Sequence, residues 1–325
     1  MPNLTIIPWL PLIRPPVPGS EIPEVPAGPL RALACRNSVV SLCFLVKTDS
    51  PLFAHVSFTD LTCGSAVIPA SALRARLVGA VAAPESGAVM DVLQDVPRFS
   101  IIRSASIYIT AKIPRGIPAG VYRGSAVVEA AGQEPIAAEI EVEVADIDLP
   151  DVSDYNFFLN VWANPATIAR WHGVEVWSDE HFALMRPYIE DLASHGQKTA
   201  VVPICHQPWS TQTFDPFPNA VIWKRRGGQY EFDFSIFDRY VELHEQCGID
   251  RAIHCYSIVQ AASAGKDRGI AYTDAETGEY RVLETVIGDE EWTKAWKAFL
   301  GAFTSHLKSR GWLDRTYIAF DERPD

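Results

Sequence analysis

The residues best suited to chemistry stand near the C-terminal end of the chain. Tyr317-Ile318-Ala319-Phe320 is apolar and reads as a strand leaving a core, with Asp321 and Glu322 at its mouth. Adjacent strand residues point to opposite faces, but both carboxylates can enter one cleft where a strand passes into a loop. Two close carboxylates repel, which raises one pKa and keeps one group protonated near neutral pH. An acid beside an anion is what cleavage of a glycosidic bond needs. The plainer reading is an exposed acidic loop, Asp321-Glu322, balanced by Arg323. Position and apolar lead-in alone do not separate the two.

The tryptophans favour the first. Of nine, only Trp9 precedes residue 150. Trp162, Trp209 and Trp223 fall in or near loops that follow expected strands, and indole faces stack on the apolar faces of sugar rings. With Asn164, His206 and Tyr256, also at strand ends, they form the expected substrate-binding set. Trp292 and Trp296, at helical spacing, read as core.

Other patterns fail. His244-Glu245-Gln246-Cys247-Gly248 begins like a zinc-binding HExxH, but Gly248 stands where the second histidine belongs. Gly116, Gly120 and Gly124 are spaced too widely for a dinucleotide fingerprint, and neither a P-loop nor a GxSxG is present. His254, inside an apolar strand, reads as a core histidine, and Asp274 to Gly278 reads as a hairpin turn rather than a calcium loop. The expected site uses no metal and no cofactor.

These residues need elements to hold them. After Leu149-Pro150, strands expected at 157–162, 199–204, 252–257 and 316–320 alternate with three helices. Phe182, Met185, Tyr188, Ile189 and Leu192 mark the first, with Ser178 as its N-cap, Gly196 as its stop and a kink expected at Pro187. Phe237, Tyr240, Val241 and His244 mark the second, closed by Gly248. The third is capped by Asp289, lined by Trp292, Trp296, Phe299, Leu300, Phe303 and Leu307, and ended by Gly311. Such alternation predicts a parallel sheet with right-handed crossovers, here the first half of a (β/α)₈ TIM-type barrel over residues 151–325. Barrel sites form at the C-terminal ends of the strands, where the candidate residues lie.

Residues 31–150 differ. Short β-type runs separated by turn signals, such as Val39–Val46 and Ser106–Ile113, predict an antiparallel β-sandwich. Residues 1–30 are proline-rich and predict an extended N-terminal arm. The fold class is thus multidomain: a β-sandwich followed by an α/β partial barrel.

Composition narrows the partners. The chain has 325 residues, with 28 Lys and Arg against 40 Asp and Glu, a formal net charge of -12. That charge repels phosphate backbones, so nucleic acid is not an expected partner. No apolar run approaches the roughly 18 residues that suggest a membrane helix, and no membrane partner is expected. Met1 to Ser20 lacks the basic start of a signal peptide, and Cys35, Cys43, Cys63, Cys205, Cys247 and Cys255 form no CxxC pair. A cytoplasmic protein is the expectation. An uncovered half-barrel is also expected to self-associate through its open edge.

Several segments resemble glycoside hydrolase family 123, the β-N-acetylgalactosaminidases, and its relatives. They are Tyr317 to Pro324, Trp177 to Phe182, Gly196-Gln197-Lys198, Phe237 to Val241 and Pro118 to Gly124. The resemblance covers most of the chain from about residue 31, and its Asp-Glu pair is fairly specific. It implies a retaining, substrate-assisted hydrolysis of β-linked N-acetylhexosamine, in particular N-acetylgalactosamine, through an oxazolinium intermediate. Glu322 would be the general acid and base, and Asp321 would orient the 2-acetamido group. The family's barrel continues past this motif, so the chain is expected to be truncated. The alternative is a catalytically silent carbohydrate-binding or structural protein.

Overall fold

The computed structural model describes residues 3–83, 87–157, 159–209, 212–258 and 269–320. Asp321 and Glu322 lie outside the described residues. The chain divides into two compact units, Met1–Asp151 and Val152–Asp325.

Among its described residues, the first unit has twelve strands. They are β1 (Leu4–Trp9), β2 (Leu30–Arg36), β3 (Val39–Thr48), β4 (Leu52–Phe58), β5 (Leu61–Cys63), β6 (Ala66–Ile68), β7 (Leu73–Ala83), β8 (Gly87–Gln94), β9 (Phe99–Ile101), β10 (Ser104–Lys112), β11 (Gly120–Ala130) and β12 (Ile136–Asp148). One sheet has five strands in the order β1-β3-β10-β7-β8, and a seven-stranded sheet has the main path β2-β12-β11-β4-β9. A single apolar core joins them: Phe44, Val46, Ile107 and Ile109 of the first meet Tyr122, Val128, Ile140 and Val142 of the second. β12 shows why, since Ala138, Ile140, Val142 and Val144 are buried while Glu139 and Glu143, between them, face solvent.

Two features depart from a purely antiparallel expectation. β2 pairs with β12 in parallel. β1, from the proline-rich stretch, pairs antiparallel with β3 and so becomes an edge strand, with Pro8 placed where a proline is tolerated. The Pro118–Gly124 segment also has a packing reason. The Tyr122 hydroxyl, in a fully buried residue, donates to the Pro118 carbonyl at 2.8 Å. A Cβ on Gly124 would meet the Asp60 carbonyl oxygen at 2.6 Å.

The second unit contains α1 (Pro165–His172), α2 (Asp179–Ser194), β13 (Thr199–Pro203), β14 (Ile222–Arg226), β15 (Gln229–Asp233), α3 (Ser235–Gln246), β16 (Ala252–Tyr256), β17 (Ile270–Asp274), β18 (Tyr280–Leu283), α4 (Glu290–Arg310) and β19 (Thr316–Ala319). β13, β16 and β19 form a three-stranded parallel sheet in sequence order. The strand expected at 157–162 is reduced, among the described residues, to one parallel bridge between Leu159 and Gln197.

Simple strand–helix alternation does not describe the whole unit. Two antiparallel hairpins, β14–β15 and β17–β18, join through a parallel β14–β17 contact into a second, four-stranded sheet. Asp274 turns the second hairpin, its carboxylate accepting from the Glu276 and Thr277 amides. The main core lies between the helices and one face of the parallel sheet: Ala200, Val202, Ile253 and Cys255 pack with Met185, Phe237, Phe299 and Phe303. The long helices start at side-chain caps, Ser178 accepting from the His181 amide and Asp289 from the Trp292 amide. α2 runs on through Pro187.

Candidate active site

The opposite face of the parallel sheet holds the candidate site. Side chains alternate along each strand, so Val201, His254, Tyr256 and Ala319 point away from the helix-lined core. Pro203, Tyr256 and Ala319 stand in register at the C-terminal ends of the strands, and the sequence continues from Ala319 through Phe320 to Asp321 and Glu322.

At these ends the structure gathers three of the expected residues. The Trp209 ring lies 4.6 Å from Tyr256 and 5.0 Å from Trp162, and the Trp162 and Tyr256 rings are 5.2 Å apart edge to face. Phe217, at 4.3 Å from Trp209, completes a small apolar cluster with Val201. Trp209 is 1% exposed whereas Trp162 is 42% exposed, so the cluster opens to solvent through Trp162. The Trp209 indole N–H is buried and, among the described residues, has no hydrogen-bond partner. A buried donor left unpaired costs about 1–3 kcal/mol, so it is a ready partner for an acceptor on a ligand.

Two more unpaired polar atoms lie towards this face. Thr199 Oγ1 lies two residues before Val201 on the same face of β13, and Asn160 Oδ1 is carried by a side chain whose Nδ2 is 3.4 Å from His254 Nδ1. Burial lowers the His254 pKa, and its ring meets Tyr317 edge to face. His254 is thus half-buried on the site side of the sheet rather than inside the main core.

The remaining expected residues have different places. Asn164 is the N-cap of α1, its Oδ1 accepting from the Ala166 amide and its Nδ2 donating to the Asp215 carbonyl. His206 Nδ1 is 2.9 Å from the Tyr280 hydroxyl, which ties the end of β13 to the β17–β18 hairpin. Trp223 is a correction. Its indole is 4% exposed, stacks on Phe299 at 4.8 Å and donates to the Ile204 carbonyl, so it belongs to the core and faces no cleft.

Sequence reasoning missed α1, Phe217, Asp215 and Tyr280. α1 has eight residues, too few for a convincing apolar period, although Asn164-Pro165 is a start signal and Gly173 adopts the left-handed conformation of a stop. His181, fully buried in α2, fixes the start of α1. Its Nδ1 accepts from the Trp177 amide, so the ring proton sits on Nε2 and donates to the Pro165 carbonyl. Among the described residues, no group of three or more His, Cys, Asp or Glu side chains is placed to hold a metal ion. No described helix is long and apolar enough to cross a membrane.

With this geometry in place, comparison with known proteins is informative. The family profile described as the glycoside hydrolase 123 catalytic domain matches residues 162–325. The chain belongs to glycoside hydrolase family 123. A family 123 glycoside hydrolase from Clostridium perfringens, solved to explain glycolipid glycan hydrolysis, superposes with a TM-score of 0.83 at 25% identity. The alignment covers 92% of this chain and 55% of that one, so this family 123 member spans about half the length of its relative. A PapD-like domain of human CEP192 (12% identity, TM-score 0.22, covering 41% of this chain and 100% of that one) adds nothing to this. The same holds for the GspB Siglec domain (11% identity, TM-score 0.24, covering 50% and 70%). No curated protein matches the chain significantly.

Proposed function

We propose that this family 123 member hydrolyses β-linked N-acetylhexosamine, with N-acetylgalactosamine as the favoured sugar, by a retaining substrate-assisted mechanism. The observation that carries the reading is the cluster of Trp162, Trp209 and Tyr256 at the C-terminal ends of parallel strands, one strand away from the chain that leads into Asp321 and Glu322. An aromatic surface open on one side suits the apolar face of a sugar ring, and the unpaired Trp209 N–H suits one of its oxygens. In this reading the Leu159 bridge marks the first strand of a (β/α)₈ barrel, and β13, β16 and β19 are the next three.

Glu322 then protonates the leaving oxygen while the substrate's acetamido oxygen attacks the anomeric carbon. Asp321 holds the acetamido group and stabilises the positive charge of the oxazolinium. Glu322, now a carboxylate, takes a proton from the water that opens it. No protein nucleophile is needed.

The test contrasts two variants. Glu322→Gln loses leaving-group protonation, so substrates with poor leaving groups slow by several orders of magnitude while an activated aryl glycoside suffers much less in its first step. Asp321→Asn slows both substrate types together, by about 10²–10³. Hydrolysis left intact by both substitutions would return the two carboxylates to the surface. Binding of N-acetylhexosamine without turnover would identify a silent carbohydrate-binding protein instead.

A further inference from the structure

The loop after β13 carries His206, Trp209 and Phe217, and it also carries a buried carboxylate with no part in the mechanism above. Asp215 is 8% exposed, and both its oxygens are taken. Thr167 Oγ1 donates to Oδ2 at 2.7 Å, and Arg170 Nε reaches Oδ1 at 2.7 Å and Oδ2 at 3.0 Å. Thr167 and Arg170 are three residues apart on α1 and share one face of that helix. The Asp215 main chain is held as well, its carbonyl accepting from Asn164 Nδ2 at 2.6 Å and Thr213 Oγ1 at 2.8 Å.

Its neighbours explain what this clamp does. Trp162 lies two residues before Asn164, and Trp209 lies six before Asp215. The two indoles meet at 5.0 Å, one from the segment that leads into α1 and the other from the loop that Asp215 ties to it. Phe214, 89% exposed, adds a cation–π contact, lying under the Arg170 guanidinium at 5.0 Å. The Asp215 pKa is lowered, first by Arg170 and then by Thr167, so the clamp carries its charge at neutral pH.

We propose that Asp215 is a positioning residue, docking the loop after β13 onto α1 so that Trp209 is held against Trp162 and Tyr256. The consequence for substrate rests on the reading of this aromatic cluster as a sugar subsite; the consequence for the ring geometry does not. The clamp sets how well the sugar is bound and leaves the proton transfers alone.

Two readouts on the full chain test this. Trp162 and Trp209, close and tilted by 39°, should give a coupled near-ultraviolet circular dichroism band, which the difference between the native chain and Trp209→Phe defines. Asp215→Ala should reduce that band to nearly the Trp209→Phe level, with Asp215→Asn, which keeps an oxygen for Thr167, in between. With an aryl N-acetyl-β-galactosaminide, Asp215→Ala should lower kcat/KM by about tenfold to a hundredfold, almost entirely through KM, with kcat changed by no more than about twofold. A native band in Asp215→Ala, or a loss of kcat with KM unchanged, overturns the proposal. Should Asp215→Ala lose its far-ultraviolet spectrum, Thr167→Val, which removes one donor at nearly constant shape, carries the same measurements. If Trp209→Phe leaves KM unaltered, the sugar-subsite reading fails; if the native chain does not turn over, the hydrolytic reading fails; in either case the near-ultraviolet band still decides the role of Asp215.

Discussion

Acid should destabilise the second unit through one residue in particular. His244 sits on α3, 4% exposed, with its Nδ1 donating to the Tyr240 carbonyl at 2.8 Å and its ring 4.4 Å from the Tyr240 ring. Burial lowers its pKa from 6.5 to about 4, against the weaker opposing pull of that carbonyl. The folded protein therefore holds His244 neutral at a pH where the unfolded chain binds a proton. Its contribution is fully present above about pH 6.5, declines as the pH falls, and is exhausted near about pH 4. Between about pH 7 and about pH 5 the loss is roughly 2 kcal/mol, and the whole interval is worth roughly 3 kcal/mol at about 1.4 kcal/mol per pH unit. His181 and His254, also lowered by burial, add to the slope in the same direction. His244→Phe keeps a ring and removes the proton site, so the difference between the two proteins isolates one histidine. Urea unfolding followed by tryptophan fluorescence is the assay, because every tryptophan except Trp9 lies in the second unit. Whatever constant offset the substitution brings, the variant's stability should fall less steeply with acid, by roughly 2 kcal/mol over that range. Parallel stability–pH lines would refute a neutral, buried His244.

Phe299→Ala should cost about 3–5 kcal/mol in the same urea assay, since the ring is fully buried against Trp223, Trp296 and Phe303. Ser178→Ala removes the cap of α2 and should cost about 1 kcal/mol, with Ser178→Asp retaining most of it. Gly124→Ala pushes a methyl into the Asp60 carbonyl and should lower the melting temperature of the first unit, with a cost of about 1–3 kcal/mol. Trp162→Ala exposes one side of the aromatic cluster and should weaken binding of N-acetylgalactosamine about fivefold or more, read by titration calorimetry, while leaving thermal stability nearly unchanged.

Much of the second unit was legible because its signals are local. Ser178 and Asp289 accept from amides three residues ahead, Gly311 ends α4 in the left-handed region, and the Phe237, Tyr240, Val241 and His244 stripe is buried. Asp274 turns a hairpin with its own side chain. Each of these depends on a few neighbouring residues whose geometry is fixed by the period of a helix or the span of a turn. The strands β13, β16 and β19 follow from the same alternation.

Fates that depend on distant partners were not written in the sequence. Trp162 and Trp223 both follow apolar runs, yet one lies 42% exposed at the strand ends and the other is sealed against Phe299 and donates to the Ile204 carbonyl. Only the docking of α4 against β14 and β15 separates them, because burial is a property of the neighbours rather than of the indole. The parallel pairing of β2 with β12, the capture of β1 by β3 and the joining of two hairpins into one sheet are likewise choices of register between remote segments. The sequence by itself determined the three longer helices, the caps at Ser178 and Asp289, the strands of the parallel sheet and the placement of tryptophan after residue 150. Tertiary structure alone decided that Asp215, unremarkable in the chain, would be buried under Thr167 and Arg170, because a carboxylate enters an interior only where remote donors already converge to receive it.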